Sequence, residues 1–236
     1  MMPQRTFLTA EWRNLAMINY EIDPKILEPL VPAGTELDQW KGHTYVSLVG
    51  FEFLNTNVLG LPIPLHRNFE EVNLRFYVRF TGQKEVRRGV VFIKEIVPRF
   101  AIALVARSVY NENYESMHMD HKDDLQNSGK VEYRWFFENR WNSLSVIKKG
   151  GLHYPDRGSD EEFITEHYWG FVKERGGKTA EYQVEHPAWR IWRVDQAMVD
   201  CDCEKLYGPQ FLPALSGLPA SAFLAEGSPV TVRSKN

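Results

Sequence analysis

The clearest pattern along the chain is a strict alternation of apolar and polar positions over residues 71–80. The apolar set is Val72, Leu74, Phe76, Val78 and Phe80, and the polar set is Glu71, Asn73, Arg75, Tyr77 and Arg79. A period of two places successive side chains on opposite faces of a strand. The pattern therefore predicts a strand with one apolar and one polar face.

Shorter runs predict further strands around this one. Gly82 starts a turn and the mostly apolar segment Gly89–Ile96 returns, which is typical of a hairpin. Further strands are predicted over Tyr45–Phe53, Tyr114–Met119 and Val131–Glu138. Many short strands with few helices favour an α+β fold whose mainly antiparallel sheet is closed or folded on itself.

Helix signals are sparse. Asp23 before Pro24 predicts a short helix, since Asp is a good N-cap and proline suits the first helical position. Ser159 and Glu162 have the spacing of a capping box. Further helices are predicted over Phe100–Tyr110 and Gln196–Leu206. No repeat or low-complexity linker divides the chain, so one domain is expected over 1–236.

Composition narrows the class of protein without giving a function. With 236 residues, 43% apolar side chains and a net charge of −3, the chain is typical of a globular protein rather than a disordered one. The charge gives no reason to expect binding to nucleic acid, and no apolar run is long enough for a membrane span. The pair Cys201 and Cys203 cannot form a disulfide framework, so a cytoplasmic location is expected.

Common catalytic signatures are missing from the sequence, and the remaining polar clusters are weaker. No phosphate-binding glycine loop, nucleophile elbow or zinc-protease motif is present. Two histidines, His118 and His121, lie among Asp120, Asp123 and Asp124, a residue set that could hold a divalent metal. A solvated turn is the alternative, because two residues three apart on a strand end point to different faces. No cofactor and no metal are predicted.

The polar face of the alternating strand has two interpretations. If it faces solvent, the strand is an ordinary half-buried one. If the sheet closes around a cavity, Glu71 and Arg75 become buried charges that must pair or bind a charged ligand. An arginine in that position would suit a carboxylate, which it can hold with two hydrogen bonds.

A second polar face is predicted from Tyr114, Ser116 and His118, which alternate in the same way. Histidine titrates near neutral pH, so His118 is a candidate acid–base group, although a structural histidine fits equally. His186 precedes the aromatic residues Trp189 and Trp192, and its alternative is a strand-end histidine packed on an indole ring.

Several segments together resemble one family. The first part of the chain looks like the opening of the YqjF-like bacterial proteins, a family of unassigned function. The segments that carry this likeness are Trp12–Tyr20, Asp23-Pro24, Leu30-Val31-Pro32, Leu37-Asp38 and Tyr45–Val49. The stretch Phe69–Val78 resembles that family's F-x-E-x-N-x-R-x-Y-V pattern, and Phe163–Tyr168 and His186–Trp189 resemble later parts of it. Each piece is loose, but their order and spacing over roughly Phe7 to Arg233 are fairly specific.

The resemblance implies the fold of acetoacetate decarboxylases, a barrel-like antiparallel sheet around an interior pocket with a few flanking short helices. Those enzymes use a lysine whose amine forms a Schiff base with a β-keto acid. The lysine follows an aromatic-Gly-Phe-Pro stretch, whose nearest counterpart here is Tyr110–Asn113, followed by Tyr114 and Glu115. Neither is a lysine, whereas Glu71 matches the family's acidic residue on another strand. The resemblance therefore implies the pocket and one carboxylate without the nucleophile.

Three functions are kept as hypotheses. The first is a small-molecule-binding protein without Schiff-base activity, and the second is an acid–base enzyme acting on a small oxygenated or anionic substrate in the same pocket. The third is a metal-assisted hydrolase using His118 and His121. The candidate catalytic residues are Tyr114, His118 and Glu71, and the candidate ligand-binding residues are Arg75, Asn73, Tyr77, Arg107 and His186. Expected partners are a small-molecule ligand, no nucleic acid and no membrane, with self-association left open.

Overall fold

The computed structural model describes residues 5–62, 66–82, 85–98, 113–174 and 176–235. Most of these residues lie in strands that pair into one mixed sheet. The strands are β1 (Thr6–Glu21), β2 (Glu36–Leu37), β3 (Tyr45–Val58), β4 (Leu61–Pro62), β5 (Phe69–Thr81), β6 (Val86–Val97), β7 (Tyr114–Ser116), β8 (Met119–Asp124), β9 (Lys130–Phe137), β10 (Arg140–His153), β11 (Trp169–Lys173), β12 (Thr179–Glu185), β13 (Ile191–Asp200) and β14 (Ser221–Arg233).

Part of this sheet closes on itself. The strands follow the order β1-β3-β5-β6-β11-β12-β14, and β14 pairs back with β1. Most neighbours are antiparallel, while β11 and β7 each run parallel to β6. The sheet therefore forms a ring that leaves no free edge among these strands. The predicted fold, a mainly antiparallel sheet around an interior with a few short helices, is confirmed.

The remaining large strands form an arm that continues from β14 through β13, β10 and β9 to β8. The arm packs on the outside of the ring, where Tyr133 and Leu144 share a hydrophobic cluster with Leu48 and Leu74. Gly50 of β3 allows this contact. A Cβ atom at that position would lie 2.5 Å from Cδ2 of Tyr133, closer than two carbon atoms can approach.

Both faces of β5 are consequently buried, which explains its alternating sequence. Val72 and Phe76 belong to the outer cluster beneath the arm. Tyr77 belongs to a second cluster on the inner side of the ring. The polar face from Glu71 to Tyr77 therefore faces the interior of the ring, whereas Arg79, near the end of the strand, is exposed.

The short helices are α1 (Pro24–Leu27), α2 (Asp160–Thr165), α3 (Cys203–Tyr207) and α4 (Leu212–Leu215), with 3₁₀ turns at Glu28–Leu30 and Pro209–Phe211. Both predicted caps are formed. The Asp23 side chain accepts a hydrogen bond from the Lys25 amide at 3.0 Å, and Ser159 Oγ accepts one from the Glu162 amide at 3.1 Å.

One predicted helix is wrong and another cannot be compared. Over Gln196–Leu206 the chain continues as β13 to Asp200, because Gln196 and its neighbours pair with β10, and the helix begins only at Cys203. The predicted helix Phe100–Tyr110 lies outside the described residues. None of the described helices is long and apolar enough to cross a membrane. The assignment of 1–236 to one domain stays a prediction.

Candidate functional site

A cavity of about 170 Å³ opens on the inner side of the ring. Its wall combines aromatic and polar side chains. The aromatic side chains include Phe7, Trp12, Phe51, Phe53, Phe69 and Trp189. The polar ones include Glu71, Asn73, Arg75, Glu95, Tyr114 and His167. Cavities of this kind, mostly apolar with a few convergent polar groups, are typical small-molecule sites.

The alternating strand β5 supplies three of the polar groups. Glu71, Asn73 and Arg75 all face the cavity and are all buried, with Glu71 only 2% exposed and Arg75 8%. Asn73 Nδ2 donates to Glu71 Oε1 at 2.9 Å, which holds that carboxyl in place. The predicted placement of Glu71 and Arg75 in a cavity is confirmed, while their chemical roles stay predictions.

Tyr77 continues the same face of β5 but is not part of the cavity wall. Its hydroxyl lies 2.6 Å from Ser47 Oγ, and its ring packs on His167 with centroids 4.7 Å apart. Tyr77 therefore supports the wall from behind instead of contacting a ligand. Tyr77 is thus not among the residues that line the cavity, because its hydroxyl is turned to β3, and its ligand-binding role stays a prediction.

Tyr114 meets Glu71 across the cavity wall, as the sequence predicted. The strand β7 runs parallel to β6 with Tyr114 opposite Glu95, which brings this tyrosine beside β5. Its hydroxyl lies 3.4 Å from Glu71 Oε2. A phenol and two carboxyl groups, those of Glu71 and Glu95, thus converge on one part of the cavity.

His118 does not join this group. Strand β7 ends at Ser116, and the next residue, Met117, is buried against β6 through a hydrogen bond from its amide to Val97 O. The two-residue period holds only within one continuous strand, so it no longer applies at His118. His118 is exposed and packs on Trp141 with centroids 5.1 Å apart. The predicted placement of His118 beside Tyr114 is wrong, while its catalytic role stays a prediction.

His121 has different neighbours from His118. Its Nε2 lies 3.3 Å from Glu52 Oε2 and its Nδ1 lies 3.5 Å from Glu70 Oε2. Hydrogen bonds to these two carboxylates raise the pKa of His121 to about 10, so the ring is a cation paired with acids. In the part of the chain that the structure describes, no three His, Cys, Asp or Glu side chains are grouped to hold a metal ion. The geometry gives no support to a hydrolase built on the two histidines.

His186 lies in the cavity wall and is also packed on an indole ring. Its ring stacks on Trp189 with centroids 4.1 Å apart and an angle of 17°. Burial lowers the pKa of His186 to about 4, and the nearby Arg75 charge acts in the same direction, so the ring is neutral at neutral pH. Both interpretations of this residue, a ligand contact and a histidine packed on indole, fit its position. Arg107 lies outside the described residues.

The sequence did not single out Glu95 and His167 as candidate site residues, although both line the cavity, nor Asp38, which contacts His167. His167 follows α2 and its Nε2 lies 3.2 Å from Asp38 Oδ2. Asp38 also accepts a hydrogen bond from Arg88 Nε at 2.6 Å. Asp38 and His167 lie within segments that carry the family resemblance, and Glu95 is a carboxylate within the apolar run of β6 that is 1% exposed.

The charge of Arg75 is not balanced by a salt bridge to any described residue, and its Nε is buried without a hydrogen-bond partner among them. Its guanidinium lies 5.8 Å from the centre of the Tyr77 ring. Glu71 is four residues away on the same strand, or about 13 Å between Cα atoms at the usual rise. The cavity thus has a cationic end at Arg75 and an acidic end at Glu71.

Lysine is missing from the described part of the cavity wall. Lys94, on the neighbouring strand β6, is paired with Glu115 at 2.8 Å. Lys122, on β8, is exposed. They are the nearest lysines on either side, in sequence, of the position where the decarboxylase resemblance would place a nucleophile.

Sequence comparison places this architecture in a known family. The family DUF2071, described as an uncharacterized conserved protein, matches residues 9–229. The chain belongs to the DUF2071 family. One relative, the uncharacterized protein YqjF of Bacillus subtilis, is 30% identical over 188 residues, which are 78% of this chain and 74% of that protein. The resemblance inferred from the sequence is confirmed.

Solved structures show how this DUF2071 chain folds. The acetoacetate decarboxylase of Legionella pneumophila superposes with a TM-score of 0.69 at 12% identity, covering 99% of this chain and 87% of that one. The enduracididine biosynthesis enzyme MppR, in complex with pyruvate, gives a TM-score of 0.71 at 11% identity and covers 100% and 91%. An acetoacetate decarboxylase-like enzyme from Sphingomonas wittichii gives 0.65 at 12%, with 98% and 92% covered. At these identities the likeness establishes the acetoacetate decarboxylase-like fold alone.

Proposed function

We propose that the cavity binds a small organic carboxylate without forming a covalent bond to it, and that Arg75 holds the carboxylate group. One observation carries the proposal. Arg75 is a buried cation in a cavity wall, and no described residue provides it with a counter-charge. A buried charge without a partner is costly, and a ligand carboxylate would remove that cost.

The chemistry of arginine suits a carboxylate. The planar guanidinium presents parallel N–H groups that match the two oxygens of a carboxylate. His167 and His186 lie near Arg75, and both are neutral at neutral pH. They therefore offer hydrogen bonds without adding a competing charge.

The other side chains of the cavity wall can contact the part of the ligand beyond its carboxylate. The aromatic side chains around Trp12 and Phe53 supply apolar area for a short carbon chain or ring. At the opposite end Tyr114 and Glu71 can exchange hydrogen bonds with a carbonyl or hydroxyl group. A volume of about 170 Å³ suits a small keto or hydroxy acid rather than a large cofactor.

Non-covalent binding is supported by the side chains at the wall. Schiff-base chemistry requires an amine in contact with the ligand carbonyl, and no lysine from the described ranges lines the cavity. The structurally similar MppR was solved with pyruvate bound. That makes pyruvate a reasonable first probe for a cavity of the same fold.

Titration calorimetry with pyruvate, acetoacetate and phenylpyruvate tests the proposal. Arg75→Gln is expected to weaken binding about tenfold or more, since a charged hydrogen bond is lost. Arg79→Gln is the matched control, because Arg79 lies on the same strand but pairs with Glu36 at the surface. Equal affinities of the two variants, or no binding of any of the three acids to the unaltered protein, would contradict the proposal.

The acid–base alternative remains open with a changed residue set. Glu71 and Tyr114 still lie in the cavity, whereas His118 does not. A cytoplasmic location and self-association of the chain stay predictions.

A further inference from the structure

Five aromatic side chains of the cavity wall form one connected group, which we call the aromatic compartment. Its members are Trp12 of β1, Phe51 and Phe53 of β3, Phe69 of β5, and Trp189 between β12 and β13. The Trp12 ring lies 5.2, 5.7 and 6.2 Å from those of Phe51, Phe53 and Trp189, measured between centroids. Phe53 stacks on Phe69 at 4.6 Å. Trp12 is therefore the centre of the compartment.

The pairing of the strands fixes most of these rings at one level of the sheet. Trp12 is the register partner of Phe53, and Phe53 is the register partner of Phe69. On its other side Trp12 is paired with Ser228 of β14. The Oγ atom of Ser228 accepts a hydrogen bond from the Trp189 indole at 2.8 Å, which fixes this last ring. The compartment is therefore formed before any ligand binds.

The aromatic compartment and Arg75 belong to the same cavity but lie far apart in it. Phe69 precedes Arg75 by six residues on the same face of β5, or about 20 Å between Cα atoms at the usual rise. His186 connects the two regions. Its ring stacks on Trp189 with centroids 4.1 Å apart, and the Arg75 charge acts after burial in lowering the pKa of this histidine. A ligand held at Arg75 can thus extend along the wall toward the rings.

From this arrangement we infer that the ligand is an arylalkanoic acid, whose aromatic ring lies in the aromatic compartment while its carboxylate contacts Arg75. The inference rests on the proposed function, since Arg75 must hold the carboxylate. It narrows the ligand class from small organic acids to acids with a ring several bonds away from the carboxyl group.

The geometry of the compartment suits a ring better than an alkyl chain. Aromatic rings prefer stacked or edge-to-face neighbours, and this wall already contains both arrangements. Phe53 and Phe69 are nearly parallel at 12°, whereas Trp12 meets Phe51 at 67°. A ring also buries a large apolar area with few rotatable bonds, so less conformational freedom is lost on binding.

Titration calorimetry with three acids of the same chain length tests the inference. The probes are 5-phenylpentanoate, 5-cyclohexylpentanoate and pentanoate. The phenyl acid is expected to bind about tenfold or more tightly than pentanoate, because its ring leaves water, and roughly two- to tenfold more tightly than the cyclohexyl acid because of the ring contacts. A cyclohexyl acid that binds as tightly as the phenyl acid would overturn the aromatic assignment.

Phe69→Leu and Phe76→Leu form a matched pair of variants. Both remove a ring from β5, but Phe69 lines the cavity, whereas Phe76 faces the outer cluster beneath the arm. Phe69→Leu is expected to weaken binding of 5-phenylpentanoate roughly two- to tenfold with little effect on pentanoate, and Phe76→Leu to change neither affinity. Equal effects of the two variants on the phenyl acid would overturn the inference.

A measurement on the unaltered protein keeps the test independent of how the variants fold. The heat-capacity change of binding is expected to be more negative for 5-phenylpentanoate than for pentanoate, since it reports buried apolar surface. Equal values would contradict a buried ring.

The same titrations separate this inference from the proposed function. Binding of all three acids with equal affinity, and its loss in Arg75→Gln, would overturn only the assignment of the ring. Binding of none of them, or full affinity for 5-phenylpentanoate in Arg75→Gln, would overturn the proposed function as well.

Discussion

The Tyr114 hydroxyl lies 3.4 Å from Glu71 Oε2, and the two residues reach this position from strands that are separated by β6 in the sheet. Glu71 is also fixed by Asn73, so its carboxyl presents a set orientation to the cavity. This contact places the Tyr114 hydroxyl where it could also form a hydrogen bond with a ligand oxygen.

Removing only that hydroxyl should weaken ligand binding. Tyr114→Phe keeps the ring that fills the wall and loses a hydrogen bond of about 0.5–1.5 kcal/mol, so the affinity for an acid long enough to reach from Arg75 to Tyr114 is expected to fall roughly two- to tenfold. The melting temperature should change little. Calorimetric titration and thermal unfolding check both expectations, with Tyr154→Phe, at a 62% exposed site, as the control. An unaltered affinity would assign Tyr114 to packing alone.

Borohydride should trap no adduct between this chain and a β-keto acid. The described cavity wall holds no lysine, and Lys94 is engaged by Glu115. Intact-mass measurement after incubation with acetoacetate and borohydride is therefore expected to give the mass of the free chain. A stable adduct on a lysine of the folded protein, absent when the chain is denatured first, would show that Schiff-base chemistry is retained.

The ion pairs of His121 should make stability depend on alkaline pH. Glu52 and Glu70 raise the pKa of His121 to about 10 from 6.5, so the pair contributes fully below pH 6.5 and is lost as the pH rises toward 10. His121→Gln should cost on the order of 1 kcal/mol at about pH 6, since solvent screens a half-exposed pair, and much less at about pH 10. Urea unfolding at both values measures this, with His118→Gln as the control at an exposed histidine that packs on Trp141.

The contact between the arm and the ring should be sensitive to one added methyl group. Gly50→Ala places a Cβ 2.5 Å from Tyr133 Cδ2 and 2.8 Å from Leu144 Cδ2, in a packed interface. Overpacking of this kind costs about 1–3 kcal/mol. Gly151→Ala is the control, because a Cβ there meets nothing within 4 Å. Similar urea midpoints for the two variants would mean that the arm shifts to accommodate the added methyl group with little loss in the free energy of unfolding.

Several features of this protein are determined by the sequence alone because neighbouring residues carry their cause. The alternation from Glu71 to Phe80 predicts a strand, and Asp23 and Ser159 predict helix starts through hydrogen bonds to amides two or three residues away. The same period-two argument failed at His118, because strand β7 ends two residues earlier and nothing in the local sequence marks that end.

The composition of the site was decided by tertiary structure. The sequence of β5 could not say whether its polar face met solvent, and only the pairing of β1 with β14, near opposite ends of the chain, closes the ring and makes that face an interior wall. Likewise Asp38 and His167 have no periodic relation. They form a pair because ring closure and helix α2 bring them together in a place where water is excluded, so that each buried polar group must find its partner within the fold.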